Sequence, residues 1–266
     1  MSNSPLVTYT NITKNRTSPR KHAIDTITIH CIVGQWTAKQ GCDYFASTAR
    51  QCSANYVVGK DGSIGLSVEE KDRAWTSGGN LKANGMTGST NDQRAVTIEV
   101  ASDTTHPYAI TDKAYAALVN LVTDICKRNG IKKLLWKGDK NLVGKIDQQN
   151  MTVHRWFANK ACPGDYLYNL HGQIAAEVNS QLEGGAAATP AKPTAKPFDT
   201  TAANTCPYLV RVTASDLNVR SGPGTGYKIN MCIRDRGVYT IVEEKNGWGR
   251  LKSGAGWISL AYTRKV

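Results

Sequence analysis

The chain has 266 residues, with 33 Lys or Arg against 21 Asp or Glu, a net charge of +12 and a hydrophobic fraction of 40%. That length is ample for one large core or two ordinary ones, and the balance of apolar to charged residues excludes wholesale disorder and fibrous repeats. No apolar run approaches the ~20 residues that span a bilayer, so the charge calls for an anionic partner: nucleic acid, a membrane surface or a cell wall.

The first residues, Met-Ser-Asn-Ser-Pro-Leu-Val-Thr, lack the basic region and apolar core of a Sec signal. Residues 24–33 (IDTITIHCIV) alternate and are β-branched, which predicts a strand. Two short strand-like runs follow within residues 53–68, NYVV and SIGLSV, joined by a hairpin turn at Lys60-Asp61-Gly62. Residues 94–101 (RAVTIEVA) predict another buried strand. Ala114, Leu118, Leu121, Val122 and Ile125 form the stripe of an amphipathic helix over residues 111–129, with Thr111 as N-cap and Gly130 as stop. A last helix is predicted over residues 165–182, with Leu170, Ile174 and Val178 on one face. The pattern is α/β, a mixed central sheet flanked by helices.

Residues 184–204 (GGAAATPAKPTAKPFDTTAAN) have three prolines, clustered alanines and almost no bulky apolar side chain, the composition of a semi-rigid linker. They separate a first domain, residues 1–183, from a second, residues 205–266. Basic residues outnumber acidic ones by 21 to 16 before the linker and by 10 to 4 after it, so the second domain is far more basic per residue. Its short β-branched runs, many glycines and lack of a helical stripe predict a small all-β barrel.

Chemistry concentrates in a few residues. Of five histidines, His30 lies near the end of a predicted strand, a usual place for site residues in α/β folds. His154 follows the short run MTV, and Cys162 stands eight residues further on, in KACPGD. Two imidazoles and one thiolate would give a zinc site with an open position, the catalytic pattern. Seven cysteines at irregular spacing do not form a disulfide framework, and the odd count leaves at least one thiol for other work. Glu99 is a lone carboxylate in the apolar strand V-T-I-E-V-A, where a buried charge is costly without a task or a partner. Cys31 is expected on the opposite face of the strand from His30, as sheet packing. Other chemistries fail on spacing. GDKNLVGK at residues 138–145 is not a Walker A loop, and the zinc deaminase signature is missing. No carboxylate pair suits a muramidase, and no nucleic-acid recognition motif is present.

The segments ITIHCIV, SANYVVGKDGSI, AVTIEVAS and TVHRWFANKACPGD, in that order, resemble the zinc-dependent N-acetylmuramoyl-L-alanine amidases. These are the type 2 amidases of phage endolysins and bacterial autolysins, kin to peptidoglycan recognition proteins. The resemblance covers residues 20–180, and its most specific piece is H-x7-C with Lys160 two residues before Cys162. It implies zinc (Zn2+) held by His30, His154 and Cys162, and hydrolysis of the lactyl–L-alanine amide of peptidoglycan. It further implies Glu99 as general base, Lys160 as stabiliser of the oxyanion, and Trp75 on the wall of the substrate groove. Relatives without the glutamate employ a Tyr near the NYVV hairpin; here Ala54 stands at that position, with Tyr56 two residues on as a candidate substrate contact. The family often has a His in the W-x-x-G stretch, where this chain has Thr76-Ser77.

In the second domain, SDLNVRSGPGTGYKI, VYTIVEEKNGWGRL and GAGWISLAYT resemble a bacterial SH3-like domain. That implies cell-wall binding, with Tyr227, Trp248 and Trp257 as groove aromatics. MCIRDR, residues 231–236, replaces the small, apolar strand expected there and predicts local distortion. Together the two resemblances imply a monomeric endolysin acting on the peptidoglycan of a Gram-positive wall, with neither nucleic-acid binding nor membrane insertion. Such a lysin is made in the host cytoplasm and released; an extracellular autolysin is the other origin. A non-catalytic peptidoglycan-binding protein on the same fold is the rival, and the presence of Cys162 and Glu99 argues against it.

Overall fold

A computed structural model describes residues 2–105, 107–184, 206–214, 216–245 and 247–265. The chain divides into two compact units, Met1–Pro193 and Thr194–Val266. The expected linker, residues 184–204, lies outside the described residues apart from Gly184.

The first unit is built on a six-stranded sheet of β1 (Tyr9–Thr10), β2 (Thr26–Val33), β3 (Tyr56–Val58), β4 (Ile64–Leu66), β5 (Ala95–Ser102) and β6 (Met151–Thr152). The strand order is β1-β4-β3-β5-β2-β6, and every neighbouring pair is parallel except the β3–β4 hairpin. β2 and β5 pair along all eight residues, and that register sets His30 opposite Glu99.

Side chains of successive strand residues point to opposite faces, so β2 and β5 each carry two different rows. Four helices flank the sheet: α1 (Ala38–Ala46), α2 (Gly88–Arg94), α3 (Asp112–Asn129) and α4 (Gly164–Leu182). On one face Ile27, Ile29, Ile98 and Val100 join Leu118 and Leu121 of α3 and Ile174 and Val178 of α4 in the main core. Thr111 caps α3 by accepting from the Ala114 N–H, and Gly130, at φ 71°, ends it in the left-handed conformation.

The opposite face carries Thr28, His30, Thr97 and Glu99. At one side α1 covers it through Cys42 and Phe45, packed on Ile32 and Val57. At the other, α2 joins it through a buried polar cluster. Asn91 donates to Thr28 Oγ1 at 3.0 Å, Thr152 donates to Asn91 Oδ1 at 3.0 Å, and the two threonine hydroxyls lie 2.7 Å apart.

The second unit is a seven-stranded, all-antiparallel sheet of β7 (Tyr208–Val212), β8 (Leu217–Arg220), β9 (Ile229–Ile233), β10 (Val238–Lys245), β11 (Trp248–Leu251), β12 (Trp257–Ser259) and β13 (Thr263–Lys265). The order is β9-β8-β12-β11-β10-β7-β13, and Val210, Val219, Ile241, Leu251 and Ile258 form its core. MCIRDR supplies the end of β9, whose pairing with β8 shifts register between Val219 and Arg220. All seven cysteines are free. Among the described residues no helix is long and apolar enough to cross a membrane.

Candidate metal centre

His30 projects from the middle of β2 and is fully buried. His154 opens a short 3-10 turn, His154–Trp156, just after β6. Cys162 stands two residues before α4. The loop between His154 and Cys162 is clasped on itself: the Arg155 N–H donates to the Cys162 carbonyl at 3.1 Å, and the Arg155 guanidinium reaches Asp165 at 3.0 Å. This clasp carries the thiol back over β2, where Cys162 Sγ lies 3.4 Å from His30 Nδ1. The His30 and His154 rings are 5.1 Å apart, and the ligand atoms of the three residues lie within 4.8 Å of one another.

These residues suit a metal ion by geometry and by charge. Tetrahedral N and S donors on one zinc-sized ion stand about 3.3–3.6 Å apart, which His30 and Cys162 already match. His154 Nε2 donates to the Gly78 carbonyl at 3.2 Å, so its proton is placed there and Nδ1 is left as a lone pair. His30 turns Nε2 to Ser77 Oγ at 3.4 Å and Nδ1 toward Cys162. Burial holds the His30 pKa well below its ordinary value. His154 is lowered too, chiefly by burial, with the Lys160 cation adding to it. Both imidazoles are thus kept neutral, as ligation requires. Burial, then the neighbouring Cys31, pushes the Cys162 thiol well up. A thiol so placed ionises when a cation sits beside it, and the N-terminus of α4 favours the same thiolate.

Glu99 faces this group from β5. Its Oε1 lies 3.9 Å from His30 Nδ1, and its Oε2 is buried with no hydrogen-bond partner. Burial pushes the carboxyl up to about 8, so it can hold or release a proton near neutral pH.

The other expected site residues divide. Lys160 is exposed on the clasped loop, near enough for its charge to act on His154. Trp75 is half-buried, and its indole N–H donates to Thr17 Oγ1 at 2.9 Å. Tyr56 is a correction. It pairs with Ile98 rather than Glu99, so alternation turns it to the helix-covered face. There it is 0% exposed and donates to Glu70 at 2.6 Å, out of reach of any substrate. Cys31 packs in the main core as expected, and it also contacts the Cys162 thiol. Cys162 packs against the helix-side core and therefore meets both neighbours on β2. In the second unit Tyr227 is 50% exposed over Gly222, and Trp248 is half-buried. Trp257, on β12 between β8 and β11, is only 9% exposed and stands beside the core residue Ile258. Three contributors were not foreseen from the sequence: Ser77 and Gly78, which touch the histidines, and Asp92, which holds them.

A family model described as N-acetylmuramoyl-L-alanine amidase matches residues 20–165, and one described as bacterial SH3 domain matches residues 213–264. No curated protein matches the chain. Similar solved structures include a mutant endolysin from Bacillus subtilis, 15% identical with a TM-score of 0.45, covering 65% of this chain and 99% of that one. The Staphylococcus aureus hydrolase AmiA with its ligand is 14% identical with a TM-score of 0.48, covering 71% and 90%. The endolysin amidase LysCS from Clostridium intestinale URNW is 16% identical with a TM-score of 0.43, covering 67% and 99%.

Proposed function

Because the chain belongs to the N-acetylmuramoyl-L-alanine amidase family over residues 20–165, we propose that it hydrolyses the amide between N-acetylmuramic acid and the L-alanine of the stem peptide with zinc held by His30, His154 and Cys162. The observation that carries this assignment is the meeting of those three donors beside the half-buried, proton-holding Glu99. When bound, zinc supplies a Lewis acid that polarises the amide carbonyl and acidifies water. Glu99 takes the proton of the attacking water and delivers it to the departing amine. The Lys160 ammonium offsets negative charge as it develops on the carbonyl oxygen. His30 and His154, kept neutral by burial, bind without cancelling the charge of the ion.

The second unit is assigned as a wall anchor. Its 10 basic residues against 4 acidic ones over residues 205–266 suit an anionic Gram-positive wall, and Tyr227 offers an exposed ring. Deletion of residues 185–266 is expected to weaken retention on intact cells by roughly 10²-fold while hydrolysis of soluble muropeptides stays within about twofold. Cell-pelleting and muropeptide turnover assays on the same preparation check this. The bond specificity is tested on purified peptidoglycan. Free L-alanine amino termini should appear without new reducing sugars, and new reducing ends would contradict the assignment.

A further inference from the structure

The segment that touches both histidines is itself held by one buried carboxylate. Asp92, in α2, is 1% exposed, and its Oδ2 accepts the backbone N–H of Thr76 at 3.0 Å and of Ser77 at 2.8 Å. The residues so fixed then meet the rings. Ser77 Oγ lies 3.4 Å from His30 Nε2, and the Gly78 carbonyl accepts from His154 Nε2 at 3.2 Å. Thr76 is tied down in addition, since its hydroxyl donates to the Ser53 carbonyl at 2.6 Å. The segment is also clamped sterically. A Cβ at Gly88 of α2 would stand 1.6 Å from the Ser77 carbonyl oxygen, and one at Gly79 would stand 2.3 Å from the Phe157 carbonyl oxygen. Glycine is needed at both positions to let the backbones approach this closely.

We propose that Asp92 and Ser77 are positioning residues of the metal centre: Asp92 fixes residues 76–78, whose Ser77 hydroxyl holds His30 with Nδ1 toward Cys162 and whose Gly78 carbonyl holds the Nε2–H of His154, leaving its Nδ1 unprotonated. The Gly78 carbonyl can only accept, so it fixes the tautomer of His154, while the Ser77 hydroxyl restrains the rotation of the His30 ring before the ion arrives. Asp92 reaches the ion only through the peptide it holds. Its conformational effect is nevertheless applied to two of the three donors at once, because Ser77 and Gly78 are adjacent. The proposal rests on the zinc assignment above.

The test is zinc affinity of the full chain, measured by competition with a chromophoric chelator, together with the visible spectrum of the cobalt-substituted protein. D92A and S77A are expected to bind zinc about 10–100-fold more weakly and to shift the cobalt bands, with unchanged far-UV circular dichroism. D92N keeps an oxygen that accepts both N–H groups and is expected to return to within about threefold of wild type. Affinity within about twofold of wild type in a folded D92A or S77A, with an unshifted spectrum, overturns the proposal. So does a D92N that binds no better than D92A. S77A removes only one buried hydroxyl and decides the matter alone where D92A fails to fold. A wild-type chain that binds no zinc overturns the zinc assignment itself, an outcome distinct from equal binding by wild type and variants.

Discussion

Glu99→Gln is expected to lower turnover by about 10²–10⁴-fold while zinc affinity and wall attachment stay near wild type. The amide fills the same space opposite His30 but cannot take a proton from water. Near-wild-type activity would assign the base elsewhere. The same change should stabilise the protein studied in the presence of chelator. Burial raises the Glu99 carboxyl from an ordinary 4.5 to about 8, so the folded chain binds this proton more tightly than the unfolded chain. Stability from that group is full below the ordinary carboxylate value and is lost as pH rises from about 4.5 through about 8. The advantage of Glu99→Gln is therefore nil near pH 4 and grows to about 1–3 kcal/mol by pH 8, allowing for the partial solvent contact of the side chain. Urea unfolding at the two pH values reads it directly. A gain that is equal at both would refute the titration origin.

Cys162→Ala is expected to reduce zinc affinity by about 10³-fold or more and to abolish turnover, because only two neutral imidazoles remain to hold the ion. Desolvation raises the Cys162 thiol pKa and favours its protonated form until a cation arrives, so zinc uptake by the wild type should release this proton. Affinity should accordingly tighten as pH rises. Calorimetry in buffers of different ionisation enthalpy counts the proton released, and the count should fall when Cys162 is replaced. Activity retained by Cys162→Ala would remove this residue from the metal centre.

The strands β2 and β5, the hairpin between β3 and β4, and the helices α3 and α4 were legible because their apolar periodicities are long and undisturbed. The helices α1 and α2 were not. In α1 the stripe is interrupted by Gly41, and the glycine is there because a Cβ would stand 2.5 Å from Val57 Cγ1, so the helix packs by close approach rather than by bulk. α2, GSTNDQR, buries Asn91 and Asp92 and contains no large apolar residue, so its sequence has the composition of a loop. Burial of polar side chains leaves no hydrophobic signal in the sequence.

The three candidate donors that the fold brings together were legible because the ligand chemistry of His and Cys is restrictive. Tyr56 was misplaced through its nearness to the hairpin, although strand alternation sets it on the face opposite Glu99. The positioning role of residues 76–78 could not be read from the sequence, since it is performed by backbone N–H groups, one carbonyl and one hydroxyl. Only the fold brings Asp92 beneath them.

The most direct measurement is zinc titration into chelator-stripped protein acting on purified peptidoglycan, with new L-alanine amino termini counted against zinc added. Amino termini should be released in proportion to zinc up to one ion per chain and no further, and the Cys162→Ala variant should stay silent throughout. Full release of amino termini by the stripped protein before any zinc is added would contradict a metal centre at His30, His154 and Cys162.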